Sequence, residues 1–94
     1  MQISYDPAKN DRNIKERGLS FERVRDFDFV QAQFDIDDRK DYGETRQIAL
    51  GLLDGRVHLL IFTMRNDVIR VISFRKAHFK EVKEYEEKHE QKTR

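Results

Sequence analysis

The run from Arg65 to Ala77, R-N-D-V-I-R-V-I-S-F-R-K-A, sets three arginines into a stretch that otherwise reads as a covered strand. A guanidinium stays protonated and presents a planar fork of donors, so at a covered position it needs a carboxylate or an external anion. Phosphate is one such anion, and the fork fits it bidentately. Strict alternation puts Val68, Arg70, Ile72 and Phe74 on one side and Ile69, Val71, Ser73 and Arg75 on the other. It therefore predicts that Arg70 and Arg75 point to opposite faces and do not grip one phosphate from mid-strand. The internal alternative is pairing with an acid such as Glu16 or Glu22. Arg75, beside the turn that follows the strand, is the strongest single candidate.

Other chemistries are poorly supplied. The chain has no cysteine, which excludes disulfides, thiol catalysis and cysteine-ligated zinc. Its three histidines, His58, His78 and His89, form no metal-ligand spacing. Neither a metal nor another cofactor is expected. Ser73 has no histidine–acid pair placed to activate it. His78 reads as a helix-start residue, and His58 as a sheet residue beside Leu60 with little functional weight. Phe21, Phe27, Phe62 and Phe74 read as core.

The net charge is only +1, but its distribution is uneven. Residues 7–25 carry six Lys/Arg against three Asp/Glu, and residues 56–80 six against one. Residues 26–44 between them carry two against seven. Such a chain can present a basic and an acidic face, and the local field governs an anionic ligand. The bland alternative is dispersed, solvated charge, which is also the default for the acidic loop near Asp37 to Asp41.

The elements that must position these residues are legible. Ninety-four residues suit one domain over 1–94, with an ordered core about 2–90. No apolar run approaches the roughly 18 residues of a membrane span, and Met1 to Lys9 lacks a signal-peptide core, so a cytoplasmic location is expected. Ile3 and Tyr5 suit a short first strand. Asp6-Pro7 starts a helix and Gly18 ends it. A second helix is expected from Ser20, with Leu19 and Val24 as a staple and Val24 and Phe27 buried. Phe34 and Ile36 alternate with acids, as on an edge strand, and Asp37 to Gly43 forms a charged loop without apolar anchors. Glu44–Leu53 and Arg56–Met64 flank Asp54-Gly55, a type I′ hairpin signal, and Arg65-Asn66-Asp67 turns the chain into Val68–Arg75. Helical spacing returns from about His78 to Gln91 through Phe79, Val82 and Tyr85, and the last residues are expected to fray. The fold class is α+β: a strand, two helices, a four-strand antiparallel meander and a closing helix.

Asp6-Pro7-Ala8-Lys9, Asn13, Arg17-Gly18 followed by Ser20-Phe21-Glu22, Gly43-Glu44-x-Arg46, Gly51, Thr63-x-Arg65, Arg70-x-Ile72-Ser73-x-Arg75-x-Ala77, and Glu84-Tyr85 stand in an order that resembles the BrnT toxin family. The resemblance runs from about Ile3 to Tyr85. It implies a RelE-like ribonuclease toxin of a type II toxin–antitoxin pair, which cleaves RNA and stops translation. It also implies a BrnA-like ribbon-helix-helix antitoxin as partner in a hetero-oligomer, with DNA contacted only through that antitoxin. The family commonly has histidine where Arg17 stands. Arginine cannot act as a general base but can bind phosphate.

Metal-free RNA cleavage aligns the ribose 2′-hydroxyl with its phosphorus, stabilises added negative charge and protonates the departing 5′-oxygen. On this reading Arg65, Arg70 and Arg75 hold the phosphate and Arg17 contributes from the first helix end. Tyr85 would stack a base or donate a proton, Lys15 and Lys76 would bind RNA, and Lys15 or Glu22 would assist proton transfer. Tyr85 also fits a core-edge position. Two other readings remain: an inactive homologue that still binds antitoxin, and an RNA-binding domain that does not cut. The strands offer aliphatics where an RNA-reading sheet would show aromatics, which weakens the second.

Overall fold

The computed structural model describes residues 1–92, and the expected fraying of the chain end lies partly outside the described residues. Elements run in the order β1 (Ile3–Ser4), α1 (Pro7–Arg17), a 3₁₀ helix (Phe21–Asp26), β2 (Gln33–Ile36), β3 (Gln47–Leu53), β4 (Arg56–Arg65), β5 (Val68–Lys76) and α2 (Phe79–Lys92). The five strands form one sheet in the order β1-β5-β4-β3-β2. Strands β2 to β5 are antiparallel, as the sequence predicts, while β1 lies parallel to β5 and makes the sheet mixed.

Local chemistry accounts for the turns. Asp54 and Gly55 have φ of 52° and 75°, and Asn66 and Asp67 have 51° and 66°. Two successive positive φ values match the twist of an antiparallel pair, and Asp, Asn and Gly are the residues that tolerate them. The second expected helix is 3₁₀, closed by i→i−3 bonds from Arg23 N to Ser20 O and from Phe27 N to Val24 O. Six residues are too few to repay α-helix nucleation, and 3₁₀ geometry is common in such short pieces.

Each face of the sheet has its own core. On one, Leu19, Phe21, Val24 and Phe27 pack against Ala49, Leu60, Phe62, Val71 and Phe74. On the other, α2 lays Val82 and Tyr85 against Leu50, Val57 and Leu59. Phe79, expected on that inner face, is 74% exposed at the first turn of α2 and carries Lys83 over its ring. Gly51 is where the 27–32 segment approaches β3, since a Cβ there would lie 2.6 Å from the Phe27 ring and 3.0 Å from Asp28 O.

One irregularity overturns the parity argument. Ile61 pairs with Ser73, but Phe62 pairs with Val71, so Ile72 is an extra residue in β5. A bulge of this kind shifts the alternation by one. Val71 and Phe74 therefore share the face of Phe62 and Leu60, and Arg70 and Arg75 share the opposite face. The expected assignment of these two arginines to opposite faces is incorrect for that reason. They remain far apart along the strand, one opposite Thr63 and the other opposite Leu59.

The segment after β2 also differs from expectation. Asp37 is buried, its carboxylate accepting bonds from Arg39 Nε and Nη2 at 2.8 Å each and from the Tyr42 hydroxyl at 3.1 Å. The Arg39 fork is the largest cause holding the Asp37 carboxyl well below its usual range. The Arg46 guanidinium lies over Tyr42, 3.9 Å from the ring centre. A loop that looked merely solvated is thus tied by a buried carboxylate and an aromatic–cation contact.

Candidate phosphate-binding cleft

Helix α1 buries only Asn13, because its sequence offers one large apolar residue, Ile14, which is exposed. Hydrogen bonds place it instead. Asp6 caps its start by accepting from Ala8 N, and Gly18 at φ 65° ends it. Asn10 Oδ1 accepts from Phe21 N. Asn13 Nδ2 donates to Leu19 O and to Phe74 O, both at 2.9 Å, and so covers β5 beyond the end of the two-residue β1. Asn13 Oδ1 in turn accepts from Arg17 Nη1 at 3.0 Å. One buried amide thus docks the helix and orients the arginine at its end.

Asn13→Ala should leave two carbonyls without donors and lose about 1–3 kcal/mol of stability. Urea unfolding reads this directly. An unchanged midpoint would show that α1 is docked by something other than this amide.

The end of α1, the β3–β4 hairpin and the end of β5 enclose a cleft of about 640 Å³. Arg17, Arg23, Arg56, Arg75 and Lys76 line it, with Asp54 as its acid and His58 and His78 as its imidazoles. Two of these cations are neutralised. Arg23 Nη2 meets both carboxylate oxygens of Asp54 at 2.8 Å. Arg75 binds Glu81 through Nη1 at 2.9 Å and Nη2 at 3.1 Å. Arg17, Arg56 and Lys76 are exposed, and among the described residues none has a carboxylate within ion-pair distance. They are the cations free to meet a ligand.

Glu81 joins the strand to the helix. Its Oε1 also accepts from His78 N at 2.7 Å, the half of a capping box in which the third helical residue reaches back to the cap. Hydrogen bonds from Arg75, more than that from His78 N, hold its carboxyl below the usual range against the opposing effect of burial. A depressed carboxyl contributes stability that is complete above the unfolded value, about 4.3, and is lost as pH falls through the folded value. Glu81→Gln should therefore be destabilising at pH 7, with the gap from wild type shrinking as pH falls below about 4.3. Urea titrations at the two pH values test this, and a pH-independent gap would contradict it.

The structure brings Arg17, Arg75 and Lys76 together and leaves the other expected residues elsewhere. Arg65 lies at the opposite end of β4, about 30 Å from Arg56 at the usual strand rise. There Glu44 Oε1 binds it at 2.8 Å and the same carboxylate also meets Arg46, while Thr63 Oγ1 donates to Thr45 O. Arg70 is half-buried beside β1 and opposite Thr63. Tyr85 is 6% exposed in the α2 core and stacks on His89, with burial raising its phenol. Lys15 is exposed on α1, outside the cleft lining. Glu22 receives Tyr5 Oη and Arg25 Nε.

Sequence reasoning passed over Arg56 and read His58 as a sheet residue, without its depth of burial. The positive-φ hairpin signal at Asp54-Gly55 marks the residue just after the turn as a rim position, which could have drawn attention to Arg56. His58 is 4% exposed, packed at 5.6 Å from the Phe74 ring, with Nδ1 2.8 Å from Arg56 O. Burial is the main cause lowering its imidazole, with Lys76 and Arg56 adding to the effect and the Arg56 carbonyl and Asp54 opposing it. Among the described residues no group of three or more His, Asp or Glu converges as a metal site would.

Fold and cleft define a small α+β protein with a cleft in which three exposed cations make no ion pair among the described residues. Residues 5–81 match the family model of the ribonuclease toxin BrnT of type II toxin–antitoxin systems, and the chain belongs to that family. No curated protein matched the sequence. Membership makes the chain a ribonuclease toxin with an antitoxin partner. Among the described residues no helix is long and apolar enough to cross a membrane.

Proposed function

We propose that the chain is a metal-independent endoribonuclease whose active cleft is the one at the end of α1, and that its cleavage of RNA blocks translation in the cytoplasm. The observation that carries this reading is the set of three cations, Arg17, Arg56 and Lys76, that make no ion pair among the described residues and converge from three elements on one concavity. Positive charge fixed around a phosphate stabilises the negative charge that develops during 2′-oxygen attack, and it acts strongly where water is partly excluded. Arg75 contributes by shape: its pairing with Glu81 fixes the cleft wall at the start of α2. A BrnA-like ribbon-helix-helix antitoxin neutralises the toxin as a hetero-oligomer and supplies any contact with DNA.

Inducing the chain alone should arrest growth, and co-expression of its antitoxin should relieve the arrest. Degradation of full-length RNA should accompany the arrest. Arrest with intact RNA would sink the ribonuclease reading, and antitoxin binding by such a protein would favour an interaction module.

A further inference from the structure

We propose that His58 is the general base of the cleft, its Nε2 taking the proton from the attacking 2′-hydroxyl; this rests on the ribonuclease reading above. The cleft's arginines stay protonated and cannot accept a proton. Asp54 is occupied through both oxygens by Arg23. His78 carries a side chain 74% exposed, and its Nδ1 lies 3.9 Å from Glu81 Oε1, drawn towards the carboxylate of α2. Of the cleft's two imidazoles, His58 is the buried one, fixed against the sheet and not facing a carboxylate.

Its geometry suits the task. A backbone carbonyl can only accept, so at 2.8 Å from Arg56 O the hydrogen of the neutral ring sits on Nδ1. That fixes the tautomer and leaves the lone pair on Nε2. No hydrogen bond to Nε2 comes from the described residues, and Nε2 is not among their fully buried, unsatisfied polar atoms. The residue is 4% exposed and is one of those that line the cleft. Phe74 holds the ring from beneath, and Lys76 is its cross-strand partner. Lys76 on β5, Arg56 on β4 and Asp54 in the hairpin lie close enough to act on the ring, and Arg17 of α1, Arg23 of the 3₁₀ helix, Arg75 of β5 and His78 before α2 line the same cleft. Positive neighbours and burial both favour the neutral ring.

The step balances without a co-reactant. The 2′-hydroxyl proton moves to Nε2 as the 2′-oxygen bonds to phosphorus and the bond from phosphorus to the 5′-oxygen breaks. The 5′-oxygen takes a proton from water, and the imidazolium returns its proton to the hydroxide left behind. The products are a 2′,3′-cyclic phosphate and a 5′-hydroxyl.

The test uses antitoxin-free protein, a chelator and a fluorogenic single-stranded RNA. His58→Asn keeps a donor for Arg56 O but has no basic nitrogen. Its kcat should fall about 100-fold or more at about pH 7.5, with RNA affinity nearly unchanged. The wild-type rate should rise with pH and level off, with a midpoint below the ordinary histidine value of about 6.5, and His58→Asn should lose that rise. Free imidazole should partly restore His58→Ala. A wild-type rate and pH profile in folded His58→Asn would overturn the assignment and leave the ribonuclease reading intact. Should circular dichroism show that variant unfolded, the wild-type profile decides: a flat rate from about pH 5 to pH 8 overturns the proposal. An inactive wild type would remove both the ribonuclease reading and this assignment.

Discussion

Removing Arg56 and Lys76 together should lower RNA cleavage by about 1,000-fold or more while the protein keeps its fold. Each donor removed from a developing oxyanion costs on the order of 100-fold to 1,000-fold in an enclosed site. The fold should survive because both side chains are exposed and neither makes an ion pair among the described residues. Binding should weaken as well, and the dependence of log affinity on log salt should become shallower by about 0.7 for each phosphate no longer neutralised. The matched control is Lys83→Ala with Lys88→Ala on α2, which makes the same change in net charge away from the cleft. Equal losses in both double variants would mean that overall charge, and not this cleft, attracts the RNA.

Phe74→Ala should produce the largest loss of stability, about 3–5 kcal/mol. Phe74 has no exposed surface, meets Phe27 edge-on at 5.9 Å and lies under His58. The cavity cannot close easily, because the Phe74 carbonyl is itself held by Asn13 from α1. For a domain of this size such a loss should lower Tm by more than about 10 °C. Calorimetry measures it, and a shift of only a few degrees would show that the core collapses around the gap. Because the ring also supports His58, any residual folded fraction should cleave RNA more slowly than wild type.

The strand and turn plan was legible because it is written locally. Asp54-Gly55 and Asn66-Asp67 are residues that accept positive φ, and the runs between them are apolar and β-branched. The Ile72 bulge left no such mark: no glycine or proline accompanies it, and its register is set by pairing with β4. One unseen residue was enough to reverse the face of Arg75. Its partner was invisible for a related reason, since Glu81 reaches Arg75 only after the chain turns at Ala77 and enters α2. Of the two acids offered as partners, Glu16 and Glu22, the second is engaged by Tyr5 and Arg25 instead.

The gathering of cations was legible in part. Arginine density pointed towards an anion, and Arg17, Arg75 and Lys76 do line one cleft. The same density could not say which cations are cancelled, because ion pairing joins residues far apart in sequence, such as Arg23 with Asp54 or Arg65 with Glu44. The motif residues divide between the ends of β4. Glu44, Arg46, Thr63 and Arg65 knit one end, and Arg17, Gly18 and Arg75 shape the cleft at the other. The burial of His58 depends on what packs over its face of the sheet, which alternation alone does not report.

The most direct test of the cleft as a metal-independent ribonuclease centre is the cleavage of single-stranded RNA by purified, antitoxin-free protein in excess chelator, with both new ends identified. The expected result is cleavage that yields 2′,3′-cyclic phosphate and 5′-hydroxyl ends and is lost in the Arg56→Ala, Lys76→Ala variant. Intact RNA until a divalent ion is added, or fragments bearing 5′-phosphate, would contradict it.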